Sequence, residues 1–126
     1  MNEAQAIVAL LALFSIKHFI FDFLLQKPFH YENKGTYGHP GGLAHAGLQA
    51  LGTVIALWFF ADLLWCLLMA MFDFLVHYHV DWAKTNLNAK YGYTPNDEKF
   101  WWLLGLDQLI HSLTYVAIIG WTIGAF

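Results

Sequence analysis

Arginine is absent from this chain, and all six of its basic residues are lysines. Set against nine acids, they leave a formal net charge of −3. A nucleic-acid binder needs a basic surface and usually arginine forks, so that class is excluded. Cysteine occurs once, at Cys66, which excludes a disulfide framework within the chain. Charge of either sign is scarce at 12% of residues, where soluble domains carry roughly 25%. In its place the sequence has 59% apolar and 18% aromatic residues, the opposite of what keeps a chain disordered. No repeat, low-complexity tract or linker divides residues 1–126, so they are read as a single domain.

The apolar residues are gathered into runs. A helix that crosses the hydrocarbon core needs about 20 mostly apolar residues. Four such stretches are legible, at about 4–25, 42–60, 63–84 and 100–124. Polar loops at 26–41 and 85–99 join the outer pairs, and Ala61-Asp62 makes a tight hairpin flanked by Trp58, Phe59, Phe60 and Trp65. The expected fold is therefore all-α: an integral membrane four-helix bundle running up, down, up and down, a single transmembrane domain. A soluble bundle buried all round does not suit so small a chain. The first stretch lacks a basic start and contains Lys17, His18 and Asp22, so it reads as a retained helix, not a signal peptide. Lys27, Lys34, Lys84, Lys90 and Lys99 all lie in or beside the two polar loops. The positive-inside rule then places those loops in the cytoplasm and both termini outside.

Ionisable groups inside a bilayer are costly and mark function by default. Here they are spaced regularly. His18, Asp22 and Gln26 are successive i,i+4 neighbours on the first span, and His45 and Gln49 are four apart on the second. Asp73, His77 and Asp81 repeat the spacing on the third, with Lys84 three residues later, and Asp107 and His111 repeat it on the fourth. Residues four apart share one helix face, so each span presents one polar stripe. At about 1.5 Å of rise per residue, every stripe lies between the loop side and mid-depth.

That chemistry suits a metal. His18, Asp22, His45, His77, Asp81, Asp107 and His111 are the candidate ligands, with Gln26, Gln49, Gln108 and Lys17 expected to support them. Four aspartates carry −4, which two divalent cations would neutralise. Mixed imidazole and carboxylate ligands fit zinc first, with manganese or iron as alternatives. Carboxylate-bridged di-metal sites in four-helix bundles offer an analogy, although they use Glu-x-x-His spacing. A metal-free network of hydrogen bonds and charges is the competing reading.

Asp73 and Lys84 are the candidate catalytic groups, Asp73 as a proton acceptor and Lys84 as an anchor for an anionic headgroup. Lys34, Gly41 and Gly42 lead into the second span, where backbone N–H groups at a helix start can hold an anion. His79 lies about 200° around the helix from His77 and is expected at the lipid interface. His30 and His39 are expected to be solvated.

The ordered motifs His18-x-x-x-Asp22-Phe23-x-x-Gln26, Asn33-Lys34, His45, His77-x-x-x-Asp81-x-x-Lys84 and Asp107-Gln108-x-x-His111 span nearly the whole chain. In them the sequence resembles the bacterial and phage membrane proteins grouped as domain of unknown function 3307. The resemblance implies a small integral protein of the bacterial inner membrane and supplies no activity; Lys17 and Asp73 lie outside the pattern. From the residues themselves, three functions are open. The first is a metal-dependent hydrolase facing the cytoplasmic leaflet, with a lipid or lipid-phosphate substrate. The second is a divalent-cation or proton-coupled transporter. The third is a structural or regulatory membrane module stapled by metal. The expected partners are the bilayer and an anionic or lipid substrate, with a homo-oligomer left open.

Overall fold

Five helices and one π-helical turn make up the computed structural model, which describes residues 1–125. The helices are α1 (Glu3–Phe19), α2 (Pro28–Tyr31), α3 (Pro40–Leu57), α4 (Leu63–Tyr91) and α5 (Glu98–Ile123), and the π-turn Ile20–Leu24 continues α1. No strand occurs among the described residues. The class is all-α, as the sequence led us to expect.

Local chemistry sets the helix ends. Asn2 Oδ1 accepts the Gln5 N–H at 2.9 Å while Gln5 Oε1 accepts the Asn2 N–H at 3.0 Å, a reciprocal cap on α1. Asp62 Oδ1 accepts the Trp65 N–H at 2.9 Å, so the two-residue hairpin also starts α4. Helix α4 runs past Lys84 to Tyr91, which corrects the expected loop at 85–99. Polar residues do not stop it, because Thr85 Oγ1 and Asn86 Nδ2 donate back to the Asp81 and Trp82 carbonyls of the preceding turn. Gly92, at φ 66°, ends the helix in a left-handed conformation that L side chains rarely adopt. The loop at 26–41 also departs from expectation, since it contains the single turn α2.

Three helical segments are long and apolar enough to cross a membrane: Glu3–Leu24, Leu63–Tyr91 and Glu98–Ile123. The expected fourth, α3, falls short of that measure. Its 18 residues include four glycines as well as His45, Gln49 and Thr53, which lower its hydropathy.

Helix α1 packs against α3 and α5, and α4 packs against the same two. The interior is divided along its length. One part is apolar, formed by Leu10 and Phe14 of α1, Ala56 and Leu57 of α3, Cys66 and Met69 of α4, and Tyr115, Ile118 and Ile119 of α5. The other part holds buried Lys17, Asp22, Lys34, His45, Gln49, Thr53, Asp73, His77, Asp81, Asp107 and His111. The outer faces are greasy: Val8 and Ile16 on α1, Leu51 and Ile55 on α3, Leu67 and Met71 on α4, and Leu109 and Leu113 on α5 are all exposed.

The entry to α3 is built around one close approach. A Cβ on Gly41 would stand 2.0 Å from the Phe29 carbonyl oxygen of α2, a backbone atom that cannot swing aside. Gly41→Ala is therefore expected to separate α2 from α3 and lower the thermal midpoint by several degrees, equivalent to about 1–3 kcal/mol for overpacking. Thermal unfolding in detergent checks this, and an unchanged midpoint would contradict the close approach.

Candidate metal centre

The sequence stripes converge. Asp22 Oδ1 lies 3.0 Å from His45 Nε2 and 3.3 Å from His77 Nε2, and those two nitrogens are 3.0 Å apart. Asp81 Oδ2 lies 3.4 Å from His45 Nε2 and 3.3 Å from His77 Nε2. A tetrahedral ion about 2.0–2.1 Å from each ligand spaces its ligand atoms roughly 3.3 Å apart. These five spacings, at 3.0–3.4 Å, fall within about 0.3 Å of that value. Two triads bring one ligand atom each within 4.8 Å of the others: Asp22, His45 and His77, and His77, Asp81 and His111. His77 is common to both and fully buried.

Each ligand-type group has a local reason for its position. Asp22 sits in the π-turn, where the Leu25 N–H reaches the Ile20 carbonyl at 2.8 Å. Single π-turns inside helices occur often at functional sites. This one shifts the register after His18, and Gln26 leaves the stripe to cap the Asp22 carbonyl at 2.6 Å. His45 comes from α3, His77 and Asp81 from successive turns of α4, and His111 from α5. The rings of His77 and His111 stack with centroids 4.0 Å apart.

His18 takes another place. Its Nε2 is 2.7 Å from Gln108 Oε1 and its Nδ1 is 2.9 Å from the Tyr115 hydroxyl, so both ring nitrogens have partners. A weaker approach of 3.3 Å links Nδ1 to Asp22 Oδ2. In this geometry His18 orients Asp22 from outside the four converging atoms. Gln49 does the same from α3, donating to Asp22 Oδ1 at 2.6 Å, and Gln108 also donates to Asp107 Oδ2 at 3.1 Å. Asp107 stands on the far side of His111, with Oδ1 3.2 Å from its Nε2.

The lysines turn inward. Lys17 pairs with Asp73 and also donates to Thr53 Oγ1 at 2.9 Å and the Gln49 carbonyl at 3.0 Å. Lys34 Nζ is 2.6 Å from Asp81 Oδ2, and Lys84 Nζ is 2.8 Å from Asp107 Oδ2. These pairs bear on two of the expected site residues. Asp73 is held by Lys17 and Thr53, one turn from His77 along α4, and is not among the converging atoms. Lys34 faces Asp81, and at the start of α3 the Gly41 N–H donates to His39 Nδ1 at 3.0 Å while Gly42 is packed near Tyr78.

The pairing also alters the charge count. Asp22, Asp73, Asp81 and Asp107 carry −4, but Lys17, Lys34 and Lys84 return +3, which leaves −1. Asp22 alone among the four has no lysine within salt-bridge distance and faces imidazoles and Gln49 instead. Several buried ring nitrogens make no hydrogen bond: Nδ1 of His45, Nδ1 of His77 and both nitrogens of His111. Buried polar atoms are seldom left so, and their concentration here calls for a cause.

Two contributors were missed in the sequence. Thr53 lies four residues after Gln49, and Tyr115 four after His111, so the same stripe rule extended by one turn finds both. Lys34, expected at an anion site, carries no periodic signal of its pairing with Asp81, because a loop delivers it. That loop is fastened to α4: the Gly38 N–H donates to the Tyr78 hydroxyl at 2.6 Å, Asn86 Nδ2 donates to the Gly35 carbonyl at 3.0 Å, and Tyr37 meets His79 Nε2 at 2.9 Å. His79 is exposed, as expected from its position off the stripe.

The site lies within a region shared with a known family. Residues 10–125 match the family described as a protein of unknown function (DUF3307), and the chain belongs to it. No curated protein and no solved structure matches the chain.

Proposed function

We propose that the chain is a multi-pass membrane protein holding one divalent cation between its helices, and that it works as a metal-dependent hydrolase on a lipid or lipid-phosphate substrate. The observation that carries the metal is the approach of Asp22 Oδ1 and of Asp81 Oδ2 to both His45 Nε2 and His77 Nε2 at 3.0–3.4 Å, with the two nitrogens 3.0 Å apart. The residual charge of −1 supports a single ion, because two divalent cations would leave about +3 in a low-dielectric interior, at high cost. Zinc suits the donor set best, with manganese and iron next.

An inside-out distribution supports the membrane reading, with charge in the interior and apolar side chains on the outer faces. A soluble protein does not expose so much contiguous apolar surface. The apolar core supports an up-down-up-down bundle. It takes Leu10 and Phe14 from the middle of α1 and the early residues of α4 together with the late residues of α3 and α5, which is consistent with antiparallel neighbours. Helix α3 is included among the spans, since its 18 residues reach about 27 Å and its outward residues are apolar. With Lys34 and Lys84 turned inward, exposed Lys27, Lys90 and Lys99 still set the polar loops apart from the hairpin and the termini. This favours cytoplasmic loops, external termini and a bacterial inner membrane.

A cavity of about 220 Å³ between α4 and α5 supports hydrolysis. Val80, Ala83, Leu87, Leu103, Leu106 and Ile110 wall it, and Lys84 and Asp107 stand in its lining. Those apolar walls suit an acyl chain in chemistry, and the two polar groups lead on to Asp81 and His111. A bound divalent cation would polarise a carbonyl or phosphoryl oxygen and lower the pKa of a water toward 7. Zinc-loaded protein incubated with vesicles of mixed phospholipids and lipid phosphates is expected to release a cleavage product by mass spectrometry, and His77→Ala is expected to release none. An untouched panel would contradict hydrolysis.

The near-complete burial of all four converging residues favours a second reading, since structural metal sites are closed and catalytic ones keep a position open. A metal-stapled module would lose thermal stability on chelation and show no turnover. Transport is less well supported, because the polar interior ends against Leu10, Phe14, Leu57, Cys66 and Ile118.

A further inference from the structure

We propose that the centre has a second cation place, filled in this protein by the ammonium of Lys84, which limits it to one metal ion. The proposal rests on the metal reading above. Asp81 is placed as a bridge. Its Oδ2 faces His45 and His77, while its Oδ1 lies 3.7 Å from His111 Nε2 and 3.6 Å from Lys84 Nζ. Asp107 completes the second place, with Oδ1 3.2 Å from His111 Nε2 and Oδ2 2.8 Å from Lys84 Nζ. His111 Nε2 and Lys84 Nζ thus each approach the same two carboxylates, and the positive charge beside them is Lys84.

His111 supplies the independent sign of a ligand. It is 1% exposed, and neither ring nitrogen makes a hydrogen bond although Nε2 points at two carboxylates. The proximity triad of His77, Asp81 and His111 shares Asp81 and His111 with this second place. One imidazole nitrogen serves one cation, however, and His77 Nε2 is closer to His45 and Asp22 than His111 Nε2 is to Asp81. His77 therefore belongs to the first place, and Asp81 Oδ1, Asp107 and His111 remain for the second. The ligand class is a divalent cation that accepts mixed nitrogen and oxygen donors: zinc, manganese or iron.

Lys84 also differs from the other two buried lysines. Its side chain is 19% exposed, where Lys17 and Lys34 show 5% and 8%, and it lines the cavity between α4 and α5. Removing its charge opens the second place from that cavity.

Metal content measured on detergent-purified protein, loaded with zinc or manganese and then desalted, tests this. Wild type and Lys84→Arg are expected to hold one ion per chain, and Lys84→Met two, the second more weakly. The double variant Lys84→Met/Asp107→Asn is expected to return to one. Lys84→Met remaining at one ion, or wild type already holding two, would overturn the proposal and leave the metal reading intact. No metal in any of these proteins overturns the metal reading and the proposal together. Should Lys84→Met give little folded protein, purification in millimolar manganese is expected to restore it, and failure to restore it counts against the second place.

Discussion

Purified His77→Ala protein is expected to hold no tightly bound divalent cation under conditions where the wild type retains one. His77 is the side chain common to both triads and is fully buried. Changes to groups that only support a ligand already cost about 10–100-fold in affinity, so loss of a ligand nitrogen is expected to cost more than ~100-fold. The same variant separates binding from folding. A ligand present at about 1,000 times its dissociation constant stabilises a protein by roughly 4 kcal/mol. Chelator is therefore expected to lower the thermal midpoint of the wild type toward that of His77→Ala and to leave the variant unchanged. A wild type insensitive to chelator would argue for the metal-free network.

The second large effect is expected at Lys17, which meets Asp73, Thr53 and the Gln49 carbonyl in the interior. Lys17→Met leaves the Asp73 carboxylate buried with the Thr53 hydroxyl, 2.5 Å away, as its remaining partner. Breaking a buried pair from one side costs about 3–5 kcal/mol, whereas replacing both members by apolar residues is often neutral or stabilising. Lys17→Met is thus expected to unfold well below the wild type, and Lys17→Met/Asp73→Leu close to it or above. Because neither residue is among the converging ligand atoms, the double variant is expected to keep its metal. If Asp73 instead served the metal directly, the double variant would lose the ion together with any activity.

How much of this was legible in the sequence follows from the physics of each element. The i,i+4 stripes were legible because a helix places such residues on one face whatever surrounds it, and they located Asp22, His45, His77, Asp81 and His111. The π-turn at Ile20–Leu24 was not, because its pattern is that of an ordinary helix until packing selects the shifted register. That is why Gln26 was expected on the stripe and caps the Asp22 carbonyl instead. The end of α4 was misplaced for a different reason: Thr85 and Asn86 look like loop residues but bond to carbonyls of their own helix.

The lysines carry the larger lesson. Read along the sequence, Lys34 and Lys84 stand with the membrane-face charges, and the metal reading counts the four aspartates without lysine partners. In space both lysines turn to those aspartates, so the charge left for metal falls from −4 to −1. Position in the sequence shows which charges lie near a loop, but only packing shows which of them are paired. That balance is the reason we propose one metal ion where the aspartates alone suggest two, while the His and Asp groups lie together as expected.

The most direct test of this account is the number of divalent cations bound per chain in detergent-purified wild-type protein, measured by elemental analysis against protein concentration. One is the expected value, set by four converging ligand atoms and a single uncompensated negative charge. Zero would contradict the metal centre, and two would contradict the charge balance that the buried lysines impose.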